Sequence, residues 1–494
     1  MNSIISTRIH EKYTQRLLQK NKHEKRLYFI LYSVIKEAIS DLEIPENSNL
    51  PPTRQLAEVL NVSRSTVLKA YDLLILEGYI ESQVGSGHLV KFKQKTRPKL
   101  DAARKKNYPT LSKLGKSFLK NEKLINSIDD KSVAFRPGLP PLDIFPVNQW
   151  KNLTNLYWRH IKSSALTYSA ASGNEQLKEN ISNYLNLSRG VKCDPQQVII
   201  VSGSLQSLYL AGSVLINPKD EVVMEDPTFP NVLSIFKSLN AKMIGVPIDE
   251  EGIQVNKIKA KNPKLIHVTP SGHYPSGTVM SLDRKKELLS FAKKNNSYII
   301  ENDFEHEISN YKRKTPSIFN IDNQGRTIFM GTFNRLLHPS IRLGYMVAPL
   351  PLLGPIEALM KHSHRFVPPS IQVVLNQFIE KKYLYDHIKK INAVAEKRKA
   401  LFIELFERHF SKSLSLVNKS ASSLHLLAEF KAGRENEQLV KAFVENNILV
   451  HSYKKCFIGK ASKEGLIFGY SSVNETKMKR KMSQMLRIYE DLEN

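Results

Sequence analysis

Residues 50–87 read LPPTRQLAEVLNVSRSTVLKAYDLLILEGYIESQVGSG, and this stretch decides the fold of the first part of the chain. Pro51 and Pro52 interrupt any preceding helix, so a new helix is predicted from Thr53 to Leu60. A turn over residues 61–64 leads into a second helix, whose apolar side is formed by Val67, Leu68, Tyr71, Leu74 and Ile75. Residues 79–84 and 88–92 then read as two short strands joined by Gly85-Ser86-Gly87. Helix, turn, helix and hairpin in this order can place one helix in the DNA major groove and the hairpin against the backbone.

Outward from this stretch, the sequence predicts four segments. Residues 1–24 form a basic N-terminal extension, and residues 25–93 form the helix-turn-helix domain, which opens with an amphipathic helix over 25–41. Residues 94–130 are polar and lysine-rich, with Pro98 and Pro109, and are predicted to be a basic linker with weak helical periodicity over 111–124. Residues 131–494 form a second, larger domain.

Charge is distributed unevenly along the chain. The formal net charge is +26, from 73 Lys and Arg against 47 Asp and Glu; the first 123 residues carry 23 − 12 = +11 of it. A basic N-terminal quarter favours a polyanionic partner, and nucleic acid is favoured over membrane because no long apolar face accompanies it. The two cysteines, Cys193 and Cys456, are too few for a disulfide framework, and no apolar run reaches membrane-spanning length. We therefore expect a cytoplasmic protein without a membrane segment.

The second helix of residues 50–87 has a first turn suited to DNA. The guanidinium of Arg64 suits the O6 and N7 atoms of guanine, while two hydroxyls and the free backbone amides of this turn suit phosphate oxygens. A serine at this position can also serve only as a helix N-cap, and both roles remain open for Ser63. The whole stretch resembles the winged helix-turn-helix of GntR-type bacterial regulators. The resemblance implies DNA contacts from Arg54, Ser63, Arg64, Ser65, Thr66, Lys69 and Gly87.

Beyond Phe135, short apolar runs alternate with helical patterns. The predicted strands are 198–201, 222–225, 265–269, 298–301, 327–331 and 341–347, and helices such as 205–216 and 282–295 separate them. This alternation predicts an α/β domain whose mostly parallel sheet is covered by helices on both faces. From about residue 353 we predict one long helix followed by a small α+β lobe that ends in a helix over 475–494.

Several motifs in this domain resemble fold-type I aminotransferases, in the form that MocR-type regulators fuse to a GntR-type domain. They include Ser202-Gly203-Ser204-Leu205-Gln206, Glu225-Asp226-Pro227-Thr228-Phe229, Thr269-Pro270-Ser271, Glu301-Asn302-Asp303-Phe304 and Gly331-Thr332-Phe333-Asn334-Arg335. The resemblance implies pyridoxal phosphate as cofactor, with a phosphate cup, a ring clamp, an acid beside the pyridine nitrogen and a lysine amine. The implied cofactor-binding positions are Ser204, Leu205, Gln206, Phe229, Asn302, Phe304, Thr332, Arg335 and Arg342.

Three of these positions depart from the aminotransferase pattern. Arg335 stands where the family has its Schiff-base lysine, and a guanidinium cannot form the internal aldimine. Asn302 stands where the family has the acid, unless the alignment slips by one residue to Asp303. Phe304 replaces the usual tyrosine. We therefore expect no catalytic residue and, at most, noncovalent binding of the cofactor.

The sequence predicts a DNA-binding transcription regulator, with double-stranded DNA as partner and a winged helix-turn-helix joined to a catalytically inactive aminotransferase-like domain. That domain is expected to form a homodimer and to sense a small anionic molecule. Two alternatives remain: transaminase activity through a surrogate lysine, Lys312 or Lys314, and a dimerisation scaffold without a ligand. His273 and His338 flank the pocket motifs, and no residue spacing suggests a metal site.

Overall fold

A computed structural model describes residues 2–18, 26–83, 87–91, 109–125, 134–308, 315–431 and 437–493. The chain divides into two compact units, Met1–Pro109 and Thr110–Asn494. The boundary lies inside the predicted linker.

The N-terminal unit contains the predicted helix-turn-helix and hairpin. Its elements are α1 (Asn2–Leu18), α2 (Leu27–Ser40), β1 (Asn49–Leu50), α3 (Thr53–Leu60), α4 (Arg64–Leu76), β2 (Ile80–Gln83) and β3 (Gly87–Val90). Strand β3 pairs antiparallel with both β1 and β2. The core forms where the apolar side of α4 packs against α2 and α3, with Val67, Tyr71 and Leu74 fully buried. The tip of the predicted hairpin, residues 84–86, lies outside the described residues.

Residues 2–18 of the predicted N-terminal extension instead form an integral helix of this unit. Ile5, Ile9 and Tyr13 recur at four-residue spacing, so they share one face of α1, and this face is buried in the same core as α2 and α4. Arg8 and Lys12 pair with Glu43 beside this core. The basic composition of residues 1–24 obscured this apolar stripe.

The second half of the predicted linker belongs to the large unit. Residues 113–121 form helix α5, consistent with the weak periodicity over 111–124. Ser117 Oγ donates to the Lys237 carbonyl, and Ser234 Oγ donates to the Asn121 carbonyl. Residues 94–108 and 126–130 of the predicted linker lie outside the described residues.

The large unit is built on an eight-stranded sheet. Its strands are β4 (Val198–Val201), β5 (Glu221–Asp226), β6 (Lys242–Asp249), β7 (Gly252–Ile253), β8 (Leu265–Val268), β9 (Tyr298–Asn302), β10 (Thr327–Thr332) and β11 (Gly344–Val347), in the order β4-β11-β10-β9-β8-β5-β6-β7. The five central strands from β10 to β6 are parallel, and β11 runs antiparallel to its two neighbours. Strands β4 and β8 are buried along their whole length, as expected for a sheet covered on both faces.

Helices accompany these strands along the chain. They are α6 (Val147–His160), α7 (Glu175–Arg189), α8 (Ser204–Leu215), α9 (Pro230–Ser238), α10 (Leu282–Lys294), α11 (Ile318–Ile321) and α12 (Leu350–Ser363). The predicted strand 341–347 is shorter than expected, because Pro339–Ile341 form a 3₁₀ turn and Arg342 adopts a left-handed conformation with φ 50°. Arg342 therefore belongs to a turn rather than to a strand.

The predicted long helix from about residue 353 is wrong, since three helices occupy this region. They are α12, α13 (Pro369–Glu380) and α14 (Tyr383–Phe410). Pro368 and Pro369 start α13, and Lys382, at φ 62°, separates α13 from α14. The small lobe follows, with an antiparallel sheet of β12 (Leu414–Leu416), β13 (His425–Phe430), β15 (Gly465–Gly469) and β14 (His451–Ser452), and with helices α15 (Glu437–Glu445) and α16 (Glu475–Glu493).

Candidate functional sites

Helix α4 begins with a complete cap. Ser63 has an extended backbone, and the Thr66 amide donates to Ser63 Oγ at 3.2 Å. The hydroxyls of Ser65 and Thr66 each lie 2.8 Å from the same oxygen. The structure thus gives Ser63 an N-cap role and leaves its side chain exposed.

The side chains predicted to contact DNA are mostly exposed. Arg54 has 86% of its side chain accessible and lies 3.7 Å from Glu58 in the same helix. Arg64 Nε donates to Thr53 Oγ1 at 3.4 Å, which links the start of α4 to the start of α3. Lys69 is exposed, with Nζ 5.9 Å from the centroid of the Tyr28 ring. Gly87 adopts φ 93°, a conformation that favours glycine.

A cavity of about 150 Å³ lies where the carboxyl ends of β9 and β10 meet the start of α8. Its lining residues are Ser204, Leu205, Leu208, Phe229, Val232, Thr269, Tyr274, Asn302, Phe304, Thr332, Asn334, Arg335 and Arg342. The carboxyl edge of a parallel sheet is the usual place for a ligand in this kind of fold. Eight of the nine predicted cofactor-binding residues therefore lie together on this cavity.

One end of the cavity has the groups that a phosphate requires. Gly203 precedes α8 with φ 106°. No described side chain caps the amides at the start of this helix, so they are available to an anion. A Cβ added to Gly203 would lie 3.0 Å from Asn334 Nδ2 and 3.9 Å from Arg342 Nη1, so glycine keeps the cup open. Thr332 and Arg342 complete the lining. Helix amides and a guanidinium are a strong combination for an anion.

The middle of the cavity suits a flat ring. Phe229 and Tyr274 meet edge to face with their centroids 4.8 Å apart. On another wall, Asn302 Nδ2 lies 3.2 Å from His267 Nε2. Burial lowers the pKa of His267 to about 3, so this histidine is neutral. A carboxamide beside a neutral imidazole can form hydrogen bonds with a ring nitrogen but supplies no negative charge.

Asp303 does not take the place of Asn302 on this wall. Its carboxylate is buried and accepts a hydrogen bond from Arg189 Nε at 2.6 Å. Burial acts to raise the pKa of Asp303, but the Arg189 charge and the hydrogen bonds to this carboxylate together outweigh it and lower the pKa. The position that faces the ring is therefore neutral, and the negative residue next to it belongs to a separate ion pair.

Arg335 lies at the end of the cavity where a condensing amine would be required. Its Nη1 donates to Glu305 Oε1 at 2.7 Å, and its Cζ lies 5.0 Å from the centroid of the Phe304 ring. Glu305 is 4% exposed, so this is a largely buried ion pair. Glu305 was missed in the sequence analysis because it belongs to none of the motifs. Its position three residues after Asn302 and close behind β9 is the signal that could have identified it.

Three residues that the sequence analysis placed at or beside the cofactor motifs have side chains outside the cavity lining. Gln206 does not line the cavity; its Oε1 accepts from the Ser202 amide at 2.5 Å, so it stabilises the loop before α8. His273 is buried and bonds to the Pro227 carbonyl and to Ser276 Oγ, and burial lowers its pKa to about 4. His338 packs against the rings of Phe145 and Trp150. Neither histidine lines the cavity, and both have structural contacts.

In the part of the chain that the structure describes, no helix is long and apolar enough to cross a membrane. Over the same residues, no group of three or more His, Cys, Asp or Glu side chains could hold a metal ion.

Comparison with known sequences defines the class of protein. Residues 27–90 match the family "Bacterial regulatory proteins, gntR family", and residues 140–456 match "Aminotransferase class I and II". MocR of Rhizobium meliloti is 30% identical over 470 residues, which cover 94% of each chain. The HTH-type transcriptional regulator YhdI of Bacillus subtilis is 28% identical over 92% of this chain and 94% of its own. The pyridoxine biosynthesis regulator PdxR of Corynebacterium glutamicum is 25% identical over 86% of this chain and 88% of its own.

Solved structures agree with the fold of the large unit. An archaeal alanine:glyoxylate aminotransferase superposes with a TM-score of 0.67 at 21% identity, covering 77% of this chain and 96% of its own. The kynurenine aminotransferase of Pyrococcus horikoshii superposes with a TM-score of 0.66 at 23% identity, covering 78% of this chain and 96% of its own. The chain is a MocR-family transcription regulator, in which a GntR-type helix-turn-helix precedes a fold-type I aminotransferase-like domain.

Aminotransferase-like domains of this family normally bind pyridoxal phosphate, and the cavity fits this group only in part. The cup fits the phosphate, and the aromatic walls fit the ring. The aldehyde end does not fit, because none of the described residues that line it is a lysine and position 335 is a guanidinium. The described residues of this site therefore do not fit covalent attachment of the cofactor.

Proposed function

We propose that the N-terminal unit binds double-stranded DNA in the cytoplasm through α4 and the β2–β3 hairpin. The exposed cations Arg54, Arg64 and Lys69 and the exposed N-terminus of α4 support this assignment. Arg64 stands in the first turn of α4, where side chains of a recognition helix reach base edges. Its link to Thr53 limits the directions it can take before DNA arrives.

DNA binding is tested with the full-length protein on duplexes selected from a random library. Arg64→Ala should weaken binding by about 1–3 kcal/mol and relax the base preference at one position if Arg64 reads a base. Lys69→Ala removes another exposed cation of α4 and is the variant with which Arg64→Ala is compared. An equal loss of affinity on all DNA sequences would make Arg64 a phosphate contact. No loss of affinity would contradict the assignment of α4 as the recognition helix. The affinity for DNA should fall as the salt concentration rises. The slope of the logarithm of the binding constant against the logarithm of the salt concentration should be near −0.9 for each phosphate neutralised.

We also propose that the large unit binds a small anion without catalysing transamination. The observation that carries this proposal is the difference between the two ends of the cavity. Ser204, Thr332 and Arg342 provide a cup for an anion, whereas Arg335 takes the position of the amine that catalysis needs. Arg342 has no carboxylate partner among the described residues, so its charge remains available to a ligand.

Ligand binding is tested by thermal unfolding with a panel of phosphorylated and carboxylate metabolites. A ligand at one hundred times its Kd should stabilise the folded protein by about 2.7 kcal/mol. Arg342→Ala should abolish this shift, while Arg365→Ala, a change at a cation outside the cavity, should retain it. If no compound stabilises the intact protein, the alternative of a ligand-free scaffold is preferred.

We further propose that the large unit forms a homodimer. Several large apolar side chains of α6 and the segment after it are more than half exposed, which is unusual for a monomer's surface; they are Val147, Trp158, Leu166 and Tyr168. Sedimentation of the purified protein tests the assembly. Trp158→Glu should shift it toward the monomer, and an unchanged sedimentation coefficient would contradict this choice of surface.

A further inference from the structure

The guanidinium of Arg335 is held on three sides. Glu305 accepts a hydrogen bond from Nη1, and the Phe304 ring lies under Cζ. On the third side is Gly138, where an added Cβ would come within 1.6 Å of Nη1. Gly138 also has φ 75°, so two constraints favour glycine there. These contacts fix the orientation of the guanidinium before any ligand arrives.

Most of the donors of this guanidinium have no acceptor in the described residues. An arginine side chain carries five N–H donors, and Glu305 is the acceptor recorded for Arg335 within the described ranges. Arg335 lines the cavity, and its side chain is 17% exposed. A hydrogen-bond acceptor on a ligand would satisfy donors that the protein leaves unused.

Glu305 does not compete for the ligand. It is absent from the cavity wall, and its second oxygen lies 3.4 Å from the Leu424 amide. Burial raises the pKa of Glu305, and the adjacent Arg335 charge opposes this effect. The group that a ligand meets at this end is therefore the positively charged guanidinium, with its counter-ion behind it.

A separate observation favours a ligand with a hydrogen-bond donor at the Asn302 wall of the cavity. Asn302 is 6% exposed and lines the cavity, and its Oδ1 has no hydrogen-bond partner among the residues described. A buried carboxamide oxygen without a partner is costly. A ligand with a donor at this edge would remove that cost.

We propose that the cavity selects its ligand by charge at the Arg335 end, and that it takes small cyclic phosphate esters with an oxygen acceptor there. This inference rests on the anion-binding function proposed above. An alcohol, an aldehyde or a carboxylate can accept from the guanidinium, whereas a protonated amine meets a like charge at close range. The aldehyde has no advantage over the alcohol, because residue 335 cannot condense with it.

Calorimetric titration of the full-length protein tests this proposal with three probes that differ at one substituent. They are the 5′-phosphates of pyridoxine, pyridoxal and pyridoxamine, which carry an alcohol, an aldehyde and a protonated amine. The alcohol and the aldehyde should bind within about threefold of each other, and the amine at least about tenfold more weakly, which corresponds to about 1.4 kcal/mol. An amine that binds as tightly as the alcohol would overturn the proposal.

Two variants test the role of the guanidinium from opposite directions. Arg335→Met should abolish or reverse the discrimination against the amine, because it removes the positive charge and leaves the Glu305 carboxylate at this end of the cavity. Glu305→Gln should increase the discrimination against the amine, because it removes the counter-ion, and it keeps the test valid if Arg335→Met does not fold. Unchanged discrimination in both variants would overturn the proposal.

The two levels of the hypothesis fail in different ways. If none of the three esters binds and Arg342→Ala changes nothing, the proposed anion-binding function fails and this inference fails with it. If the esters bind and Arg342→Ala abolishes binding, but the amine binds best, the anion-binding function stands and only the inference about Arg335 is overturned.

Discussion

The guanidinium of Arg189 and the carboxylate of Asp303 form a buried ion pair, with 2.6 Å between Nε and Oδ2. Arg189 also donates to the Thr315 carbonyl and to Ser271 Oγ, so one side chain joins three segments of the large unit. The pair holds Asp303 away from the cavity that the preceding residue, Asn302, lines. It therefore contributes to the neutral character of the ring-binding wall.

Removing Arg189 should destabilise the large unit strongly. Arg189→Ala leaves the Asp303 carboxylate buried without its partner, and we expect a loss of about 3–5 kcal/mol in the free energy of unfolding. Denaturant unfolding followed by circular dichroism measures this loss. Arg408→Ala breaks an exposed pair with Glu404 and should cost less than about 1 kcal/mol. A similar small cost for both variants would contradict a structural role for the buried pair.

A second prediction concerns the pH dependence of stability. Glu225 is buried, and Thr269 donates to its Oε2 through both the amide and the hydroxyl. Burial raises the pKa of Glu225 to about 7, although the Thr269 bonds oppose the rise. A raised carboxyl pKa favours the protonated form in the folded state. The stability it contributes is complete below about pH 4.5 and is lost as pH rises through 7.

Glu225→Gln should remove this part of the pH dependence. The glutamine oxygen can still accept both Thr269 bonds, so the variant should gain stability over the wild type between pH 5 and 8, by on the order of 3 kcal/mol. His273, 3.8 Å away, has its pKa lowered by burial and stays neutral in this window. Urea unfolding at several pH values gives the comparison, and Glu179→Gln, at an exposed position of α7, is the control. Parallel pH profiles for Glu225→Gln and the wild type would disprove the prediction.

Much of the fold was predictable because it follows from local patterns. Helix α3 and strand β4 have the predicted bounds, since Pro52 and a continuous apolar run mark their limits unambiguously. The position of α1 was not predictable in the same way, because its apolar stripe becomes informative only when α2 is placed beside it. The same limit applies to the site. The motifs identified the cup and Arg335, whereas Glu305 and Gly138 are brought to Arg335 only by the tertiary fold.

The burial of α1 leads to a third prediction. Ile9 is fully buried and Tyr13 is 1% exposed, so α1 contributes to the core that supports the DNA-binding helix. Ile9→Ala should lower the stability of the N-terminal unit by about 2–5 kcal/mol. Thr14→Ala, at an exposed position of the same helix, should have little effect. If Ile9→Ala is as stable as Thr14→Ala, then α1 does not contribute to the core, and the predicted basic extension is the better description of these residues.

Ser63 allows its cap role and its possible DNA contact to be separated. Ser63→Ala removes the oxygen that accepts from the Thr66 amide, and should cost about 0.5–2 kcal/mol of stability. Ser63→Asp retains a good cap and adds a negative charge. If Ser63 lies beside a DNA phosphate, Ser63→Asp should keep the stability but lose affinity for DNA. Wild-type affinity in Ser63→Asp would leave Ser63 with the cap role alone.

The final prediction tests the absence of covalent chemistry. Position 335 offers no amine that can condense with an aldehyde, so borohydride treatment of the protein with pyridoxal phosphate should leave no stoichiometric pyridoxyl adduct in mass spectrometry. Arg335→Lys is the positive control: it restores an amine beside the cup and should give both an adduct at residue 335 and a visible absorbance band. Lys312 and Lys314, the surrogate candidates of the sequence analysis, lie outside the described residues. A stoichiometric adduct on either lysine in the wild type would revive the transaminase alternative, because it would supply the amine that Arg335 cannot.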